Sequence, residues 1–195
     1  MSRIFYTLTV GAVLAGIVHI VIVLLVPSYA AKDAWATLAS SGEPWSFSVV
    51  ARPGSTETGL PLVDPSFGVA ACRFDLSKAA VSVTADGQLP FWSVAIFDRQ
   101  GRNIYSFNDR TAIERRLNML VMNPVQMAQY RKANPDAGDR AVIVRADMAE
   151  GFVLIRALQP DDSWGPALQR FMGGAKCEPY DGLTTASVKP SAQGE

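Results

Sequence analysis

The sequence predicts a mainly β fold, a sandwich-like antiparallel β domain with two or three short helices, preceded by one transmembrane helix. Residues 4–26 form an uncharged, overwhelmingly apolar run, and short segments of alternating or β-branched residues follow it at regular spacing. Clusters of glycine, proline and serine separate these segments. The chain therefore divides into an anchor (1–31), a juxtamembrane helix and linker (32–44), a β domain (45–177) and a disordered tail (178–195).

The apolar run is long enough to span a membrane. Ile4–Val26 covers about 34 Å at a helical rise of ~1.5 Å per residue, slightly more than a bilayer core of ~30 Å. A cleaved signal sequence is the alternative, because Ser28-Tyr29-Ala30 is a small-x-small pattern whose cleavage would leave Ala31 as the N-terminus. The apolar core of a signal sequence is usually only ~7–15 residues long, so the length favours an uncleaved anchor.

Charges at the two ends of the run predict its orientation. The N-terminal amine and Arg3 precede it, whereas Lys32 is neutralised by Asp33, which places the N-terminus in the cytoplasm. We therefore expect a single-pass protein of a bacterial inner membrane with its domain in the periplasm. His19 lies within the run, where an ionisable residue is a functional hypothesis by default. A neutral imidazole at a helix contact, or one tolerated by a single span, is the favoured interpretation.

Two cysteines, Cys72 and Cys177, are the only ones in the sequence. In an oxidising compartment such as the periplasm, the natural prediction is one disulfide between them. The alternative is a pair of buried thiols, because the sequence does not supply the distance between them.

The first elements after the run predict a helix and then a strand. Asp33–Ala39 is typical of a short juxtamembrane helix with Trp35 at the membrane interface, and residues 40–44 end it. Residues 45–52 alternate apolar and polar side chains in the period of a half-buried strand. Residues 53–65 read as a loop, because glycine, proline and threonine are frequent there.

The remaining segments predict further strands and two helices. Asn123 followed by Pro124 is typical of a helix start, and the helix should reach about Lys132, before a loop at 134–139. Residues 98–102 predict a tight hairpin in which Gly101 takes a positive φ. Short strands are expected at 69–76, 81–85, 91–97, 103–107 and 117–122, a final hairpin at 141–146 and 151–158, and a last helix at 164–172, capped by Asp162 or Ser163 and ended by Gly173-Gly174.

Composition excludes some classes of function. Basic and acidic residues balance at 18 each, so nothing in the composition supports a nucleic-acid-binding protein, which would need a basic patch. His19 is the only histidine, and it lies in the apolar run, so the usual base of nucleophilic catalysis and a zinc site are both missing from the predicted domain. We expect no cofactor and no metal, and favour a protein that is not an enzyme.

One polar cluster is a candidate site. Residues 98–110 place several acidic, basic and amide side chains at the ends of two neighbouring predicted strands. A functional interpretation makes Asp109 and Arg110 a recognition pair in a cleft beside Trp92 and Tyr105. The favoured interpretation is structural: aspartate and asparagine shape the turns, the arginines form solvated ion pairs, and the aromatic rings belong to the core.

The order of several motifs resembles a known family. The motifs are Leu-Val-Pro at 25–27, ACRFDL at 71–76, FWSVAIFDRQGRNIYS at 91–106, NDRTA at 108–112 and Ser-Trp at 163–164. Together they are similar to the domain-of-unknown-function 1254 family, in the short membrane-anchored form of alphaproteobacteria. The resemblance implies a β-rich fold, no known catalytic residues, and a companion domain of the 1214 type as a physical partner.

The sequence therefore favours a membrane-anchored envelope protein that docks on a partner. The anchor, the missing catalytic constellations and the implied companion domain support this expectation. The alternative is a ligand-binding or enzymatic domain acting on an envelope glycan or lipid, with Trp92, Asp109 and Arg110 as its first residues. A docking protein should expose an apolar surface, whereas a binder or enzyme should show a pocket with convergent polar groups.

Overall fold

A computed structural model describes residues 2–55, 64–134 and 141–183 of the chain. The described part contains three α-helices and nine strands, together with three short 3₁₀ turns. The helices are α1 (Ser2–Ser41), α2 (Pro124–Ala133) and α3 (Gly165–Gly174). The strands are β1 (Ser48–Ala51), β2 (Phe67–Asp75), β3 (Val81–Ala85), β4 (Trp92–Asp98), β5 (Asn103–Asn108), β6 (Leu117–Met122), β7 (Val142–Arg145), β8 (Glu150–Leu158) and β9 (Lys176–Pro179).

The strands form two sheets that share one core. The five-stranded sheet has the order β1-β2-β8-β4-β5 and is antiparallel throughout, and the four-stranded sheet has the order β7-β6-β3-β9. Side chains from both sheets and from α3 meet in one buried apolar cluster. The arrangement is sandwich-like, as predicted, but the chain is a mixed α/β structure rather than a mainly β one, since α1 alone takes 40 residues.

Helix α1 begins as the predicted apolar segment and continues without a break. Its part Ser2–Val26 is long and apolar enough to cross a membrane, with a mean hydropathy of 2.7 and no burial against the domain. The separate helix expected at Asp33–Ala39 is instead the last part of this same helix, which ends at Ser41. The predicted stop at residues 40–44 is confirmed, because Gly42 and Pro44 follow the helix at once.

The C-terminal end of α1 packs on the outer face of the five-stranded sheet. Leu38 is buried in an apolar cluster with strand residues, and the Trp35 ring lies 6.3 Å from the ring of Phe152. The guanidinium groups of Arg73 and Arg99 lie 5.9 Å and 5.4 Å from the Trp35 ring centre, within cation–π range. Trp35 therefore contacts the domain, which the prediction of a membrane-interface tryptophan did not anticipate.

Arg73 also holds the end of this helix. Its Nη2 donates hydrogen bonds to the carbonyl oxygens of Gly42, at 2.8 Å, and Ala39, at 3.4 Å. Carbonyl groups at a helix C-terminus have no partner within the helix, and a positive charge there is favourable. We call this set of contacts, made by Trp35, Leu38, Arg73, Arg99 and Phe152, the anchor joint.

The cysteine pair lies inside the sandwich. Cys72 of β2 and Cys177 of β9 are at disulfide distance, with their Cα atoms 6.5 Å apart, and each is almost fully buried. The pair joins one sheet to the other across the core. A disulfide indicates an oxidising compartment.

The segment between β6 and β7 forms a β-α-β unit, which the sequence did not suggest. Asn123 caps α2 as predicted: its side chain accepts a hydrogen bond from the amide of Gln126, and the Gln126 side chain accepts one from the amide of Asn123. Strand β7 returns parallel to β6, so the four-stranded sheet is mixed rather than antiparallel. The predicted loop at 134–139 lies largely outside the described residues.

The predicted final hairpin is wrong. β7 and β8 belong to different sheets, and β8 lies between β2 and β4 at the centre of the larger sheet. The apolar residues of β8 are buried on both faces, which suits a central strand and not one arm of an isolated hairpin.

The strand predicted at 45–52 is shorter in the structure, and different side chains of it are buried. Only β1 is extended and paired, because Trp45 has a positive φ of 66° and the register shifts between Val49 and Ala51. This bulge leaves Val49 exposed and buries Val50 together with Ala51, which overturns the predicted alternation.

The C-terminal elements correct two further predictions. Neither Asp162 nor Ser163 caps the last helix, because the residue before it, Trp164, makes no capping hydrogen bond through its side chain. Asp161 instead caps the 3₁₀ turn Asp162–Trp164: its carboxylate accepts hydrogen bonds from the hydroxyl and the amide of Ser163, which lower the pKa of Asp161. Residues 178–183, assigned to a disordered tail, complete β9 and a 3₁₀ turn at Asp181–Leu183. The rest of the predicted tail lies outside the described residues.

Gly151 offers a stability test of the central strand. We expect Gly151→Ala to lower the free energy of unfolding by about 2 kcal/mol, because a Cβ there would lie 2.6 Å from the Phe97 carbonyl oxygen and 2.8 Å from Met148. Gly173→Ala in α3 is the matched control, since nothing lies within 4 Å of its Cβ position. That variant should unfold at the same denaturant concentration or slightly higher. Equal stability of the two variants in urea unfolding of the full-length protein would contradict the packing described.

Candidate functional site

The predicted site residues lie where β4 begins and β5 ends. Trp92 starts β4, Tyr105 lies within β5, and Asp109 and Arg110 follow β5 directly. The Asp109 amide donates a hydrogen bond to the Trp92 carbonyl oxygen, at 3.1 Å, so the two residues face each other across the strand pair. The topology therefore brings Trp92, Asp109 and Arg110 to one end of the sheet, whereas Tyr105 lies further along β5, opposite Ile96.

Trp92 is a core residue. Its side chain is 1% exposed, and its ring lies between Phe107, at 5.9 Å edge-on, and Phe171 of α3, at 6.1 Å in a stacked arrangement. Tyr105 is different: it lies at the rim of the sandwich and is 42% exposed. The core interpretation therefore holds for Trp92, whereas Tyr105 presents its ring to solvent.

The turns on both sides of β5 follow the predicted chemistry. Asp98 Oδ1 accepts hydrogen bonds from the amides of Gln100 and Arg102, each at 2.9 Å, and Gly101 has a φ of 75°. Asn108 Oδ1 accepts one from the amide of Arg110, at 3.0 Å. Asp98 and Asn108 therefore shape the two turns, as the structural interpretation predicted.

Asp109 has a different role from a turn residue. It is 1% exposed, and its Oδ2 pairs with the Arg115 guanidinium at 2.5 Å. Its Oδ1 is buried and has no hydrogen-bond partner among the described residues. Burying a carboxylate without full compensation is costly, so Arg115 is the group that makes this burial tolerable.

Arg110 does not take part in this pair. Its side chain is exposed, and the described residues offer it no ion pair. The recognition pair inferred from the sequence, Asp109 with Arg110, is replaced by Asp109 with Arg115. Sequence reasoning missed Arg115 because nothing in the spacing distinguishes it from its neighbours.

The backbone that presents Arg115 is strained. Glu114 and Arg115 both have positive φ values, 53° and 55°. Such a conformation is uncommon for residues other than glycine and asparagine, and costs on the order of 1–3 kcal/mol per residue. Strained residues cluster at ligand sites and switches, so the 3₁₀ turn Ile113–Arg115 is a functional candidate on geometry alone.

This turn forms one wall of an open cleft of about 710 Å³. The volume is in the range of ligand-binding clefts. The cleft is lined by Asp86, Gly87, Gln88, Leu89, Pro90, Trp92, Glu114, Arg115, Arg116 and Trp164. Arg115 and Arg116 offer donors, and Asp86 and Glu114 offer acceptors; Arg116 Nε is 3.9 Å from Asp86 Oδ1, in a solvent-exposed pair. The two positive and two negative charges balance, so the cleft is polar without a net charge.

A second concavity is apolar. It encloses about 450 Å³ between the edge strand β1 and α3. Val49, Ala51, Leu168 and Met172 supply most of its apolar wall, and Gly68 forms its floor against Leu168. Within the described part of the chain, no group of three or more histidine, cysteine, aspartate or glutamate side chains could hold a metal ion.

Comparisons with known proteins support the fold alone. No protein-family model matches the chain, and no curated protein matches it significantly. The chain is similar in structure to the VPA0106 protein from Vibrio parahaemolyticus, with a TM-score of 0.53, 12% identity, and coverage of 87% of this chain and 42% of that one. It is also similar to an uncharacterised protein from Burkholderia cenocepacia, with a TM-score of 0.49, 14% identity, and coverage of 86% and 43%. The chain thus spans less than half the length of each of these two proteins.

Proposed function

We propose that this chain is a single-pass bacterial inner-membrane protein whose periplasmic domain docks on a protein partner in the envelope and has no catalytic activity of its own. The observation that carries the proposal is the anchor joint. Trp35 and Leu38 of α1 pack on the sheet, and Arg73 holds the end of the helix by hydrogen bonds.

The anchor joint fixes the distance of the domain from the membrane. Residues 27–34 continue α1 between the apolar segment and Trp35, and eight helical residues span about 12 Å. A helix without a flexible linker holds one face of the domain at one height. A fixed face is useful when the target is held in the same membrane, whereas a small molecule that diffuses freely imposes no such requirement.

The length of the structural neighbours supports a companion. In the Vibrio parahaemolyticus protein the matched region is 42% of the chain, so a fold of this kind occurs there next to further polypeptide. The resemblance to the 1254-type family implies a companion domain of the 1214 type. We propose that a separate envelope protein of that type is the partner of this chain.

Crosslinking in the native membrane tests the proposal. Mild crosslinking of the full-length protein, followed by purification and mass spectrometry, should recover one stoichiometric envelope protein. Insertion of Gly-Ser-Gly-Ser after Ala31 should lower this yield several-fold and leave the protein in the membrane, because the insertion uncouples the domain from the span. The same four residues added after Glu195 are the control. Equal yields from the two insertions would contradict the role of the anchor joint.

A second function is favoured by the cleft beside Trp92. The buried Asp109 carboxylate pairs with the exposed Arg115 guanidinium, and the strained residues Glu114 and Arg115 place polar groups on a cavity wall. This arrangement fits a ligand-binding or enzymatic domain acting on an envelope glycan or lipid. A protein that yields no crosslinked partner and is monomeric in detergent would favour this alternative over docking.

A further inference from the structure

We propose that β5 is the docking edge of the domain and that an extended, uncharged segment of the partner pairs with it as an added strand. The proposal rests on the docking function above, and it names the surface and the kind of segment that would bind there. Added-strand binding uses the backbone groups of an edge strand, which otherwise face solvent.

The four edge strands of the two sheets differ in length and in their protection against strand addition. β1, β7 and β9 have four residues each, and each has a feature that opposes strand addition. β1 carries the bulge, β7 carries Arg145, and β9 carries Lys176 and Glu178 and ends at Pro179. β5 has six residues, Asn103–Asn108, with no charge and no proline. It alone among these edges lacks the usual protection against pairing, apart from a register irregularity near its start.

The free side of β5 is uncovered. Its first four residues are exposed, and they include two large apolar side chains, Ile104 at 38% and Tyr105 at 42% exposure. Exposed tyrosine and isoleucine on an uncharged strand are favourable contacts for an apolar partner segment.

The hydrogen-bonding pattern identifies a backbone group that faces away from β4. The Asp109 amide donates a hydrogen bond to the Trp92 carbonyl oxygen, so Asp109 and Trp92 form a hydrogen-bonded pair of the β4–β5 ladder. Such pairs recur every second residue, so Phe107 and Val94 form the next one. In an antiparallel ladder the residues between such pairs point their N–H and C=O outward. Ser106 is one of these residues, and its amide is therefore available to an added strand.

A partner segment fits this edge better than a second copy of the chain does. Two β5 strands pairing with each other would contribute six residues apiece, well below the ~20–30 residues a side of a stable interface. A partner segment can continue beyond the strand. At the end of β5 the chain reaches Asp109, and the cleft lined by Arg115 and Arg116 lies at this end of the sheet. A longer segment therefore reaches that cleft.

Site-specific photocrosslinking tests the edge. A photoreactive phenylalanine analogue at Tyr105 of the full-length protein, in native membranes, should form an adduct with the envelope partner. Ser106→Pro removes the outward amide and keeps the hydrogen bonds to β4, because proline is tolerated where the N–H faces solvent. It should lower the adduct yield about tenfold, whereas Ser106→Ala, which keeps the amide, should leave the yield within about twofold.

A second pair of variants covers the case in which Ser106→Pro fails to fold. Ile104→Lys places a charge on the β5 edge and should also reduce the adduct. Ile143→Lys is its matched control, because Ile143 lies on the β7 edge and has nearly the same exposure, 37%. Equal reduction by the two lysine variants would overturn the proposal.

A second probe position distinguishes failure of the β5 edge from failure of docking. Adducts with the partner from a probe at Val125, which is 66% exposed on α2, but not from Tyr105, would overturn the β5 edge and leave docking intact. Absence of adducts from both positions while mild crosslinking still recovers the partner would overturn the β5 edge alone, and failure to recover a partner in either experiment would overturn docking itself. Adducts from Tyr105 to a second copy of the chain would overturn the choice of occupant.

Discussion

Removal of the cysteine pair by the double substitution Cys72→Ala, Cys177→Ala should lower the free energy of unfolding by about 4 kcal/mol. The pair closes a loop with a sequence separation of 105 residues, and the chain-entropy model assigns up to ~4.7 kcal/mol to a loop of about 100 residues. It also joins β2 to β9, so its loss lets these two segments move independently in the unfolded chain, which gains conformational entropy. Urea unfolding of the full-length protein in detergent, followed by tryptophan fluorescence, measures the change.

Reductant provides the control for this prediction. Dithiothreitol should shift the wild-type transition toward that of the double variant and should not affect the variant itself. The unreduced protein should show no free thiol after denaturation. Two titratable thiols would contradict the disulfide, and with it the argument for an oxidising compartment.

The sequence was sufficient to predict those strands and turns whose conformation depends only on their own residues. β3 and β6 have the predicted bounds, because each is a short β-branched or apolar run. The Asn123 cap and the Gly101 turn are also as predicted, since a side-chain oxygen or a positive φ fixes them locally.

Strand pairing was not predictable in the same way. β7 and β8 are close in sequence, and short connections normally join neighbouring strands. Here α2 carries the chain so that β7 pairs parallel with β6, and β8 fills the centre of the other sheet. β8 takes the central position because its side chains are buried on both faces of the sheet. The pattern of apolar residues within one strand does not show which other strands it pairs with.

The candidate site was also predictable only in part, in its position on the strands but not in its burial or its ion pair. The sequence predicted Asp109 beside Trp92 at one end of two strands, and the structure brings these two together, whereas Tyr105 lies further along β5, opposite Ile96. It did not reveal that Asp109 is buried, because Asn-Asp is also a turn signal. The ion-pair partner of Asp109, Arg115, is placed by two consecutive positive φ values at Glu114 and Arg115. Neither glutamate nor arginine is a residue type from which a positive φ would be predicted.

Loss of Arg115 should therefore destabilise the domain far more than loss of Arg110. We expect Arg115→Ala to lower the free energy of unfolding by about 3 kcal/mol, because it leaves the buried Asp109 carboxylate without its ion-pair partner. Arg110→Ala is the matched control from the same connection: its side chain is exposed, and its loss should change stability by no more than about 0.5 kcal/mol. Urea unfolding of both variants in the full-length protein measures the difference.

A further substitution distinguishes a charge effect from lost packing. Asp109→Asn replaces the buried carboxylate by a neutral amide of similar shape, which costs less to bury without a partner. In the Arg115→Ala background it should restore part of the lost stability, whereas a packing defect left by the arginine would persist. If the double variant is as unstable as Arg115→Ala alone, the ion pair is not what holds the Ile113–Arg115 turn in its strained conformation, and the cleft wall must be fixed by other contacts.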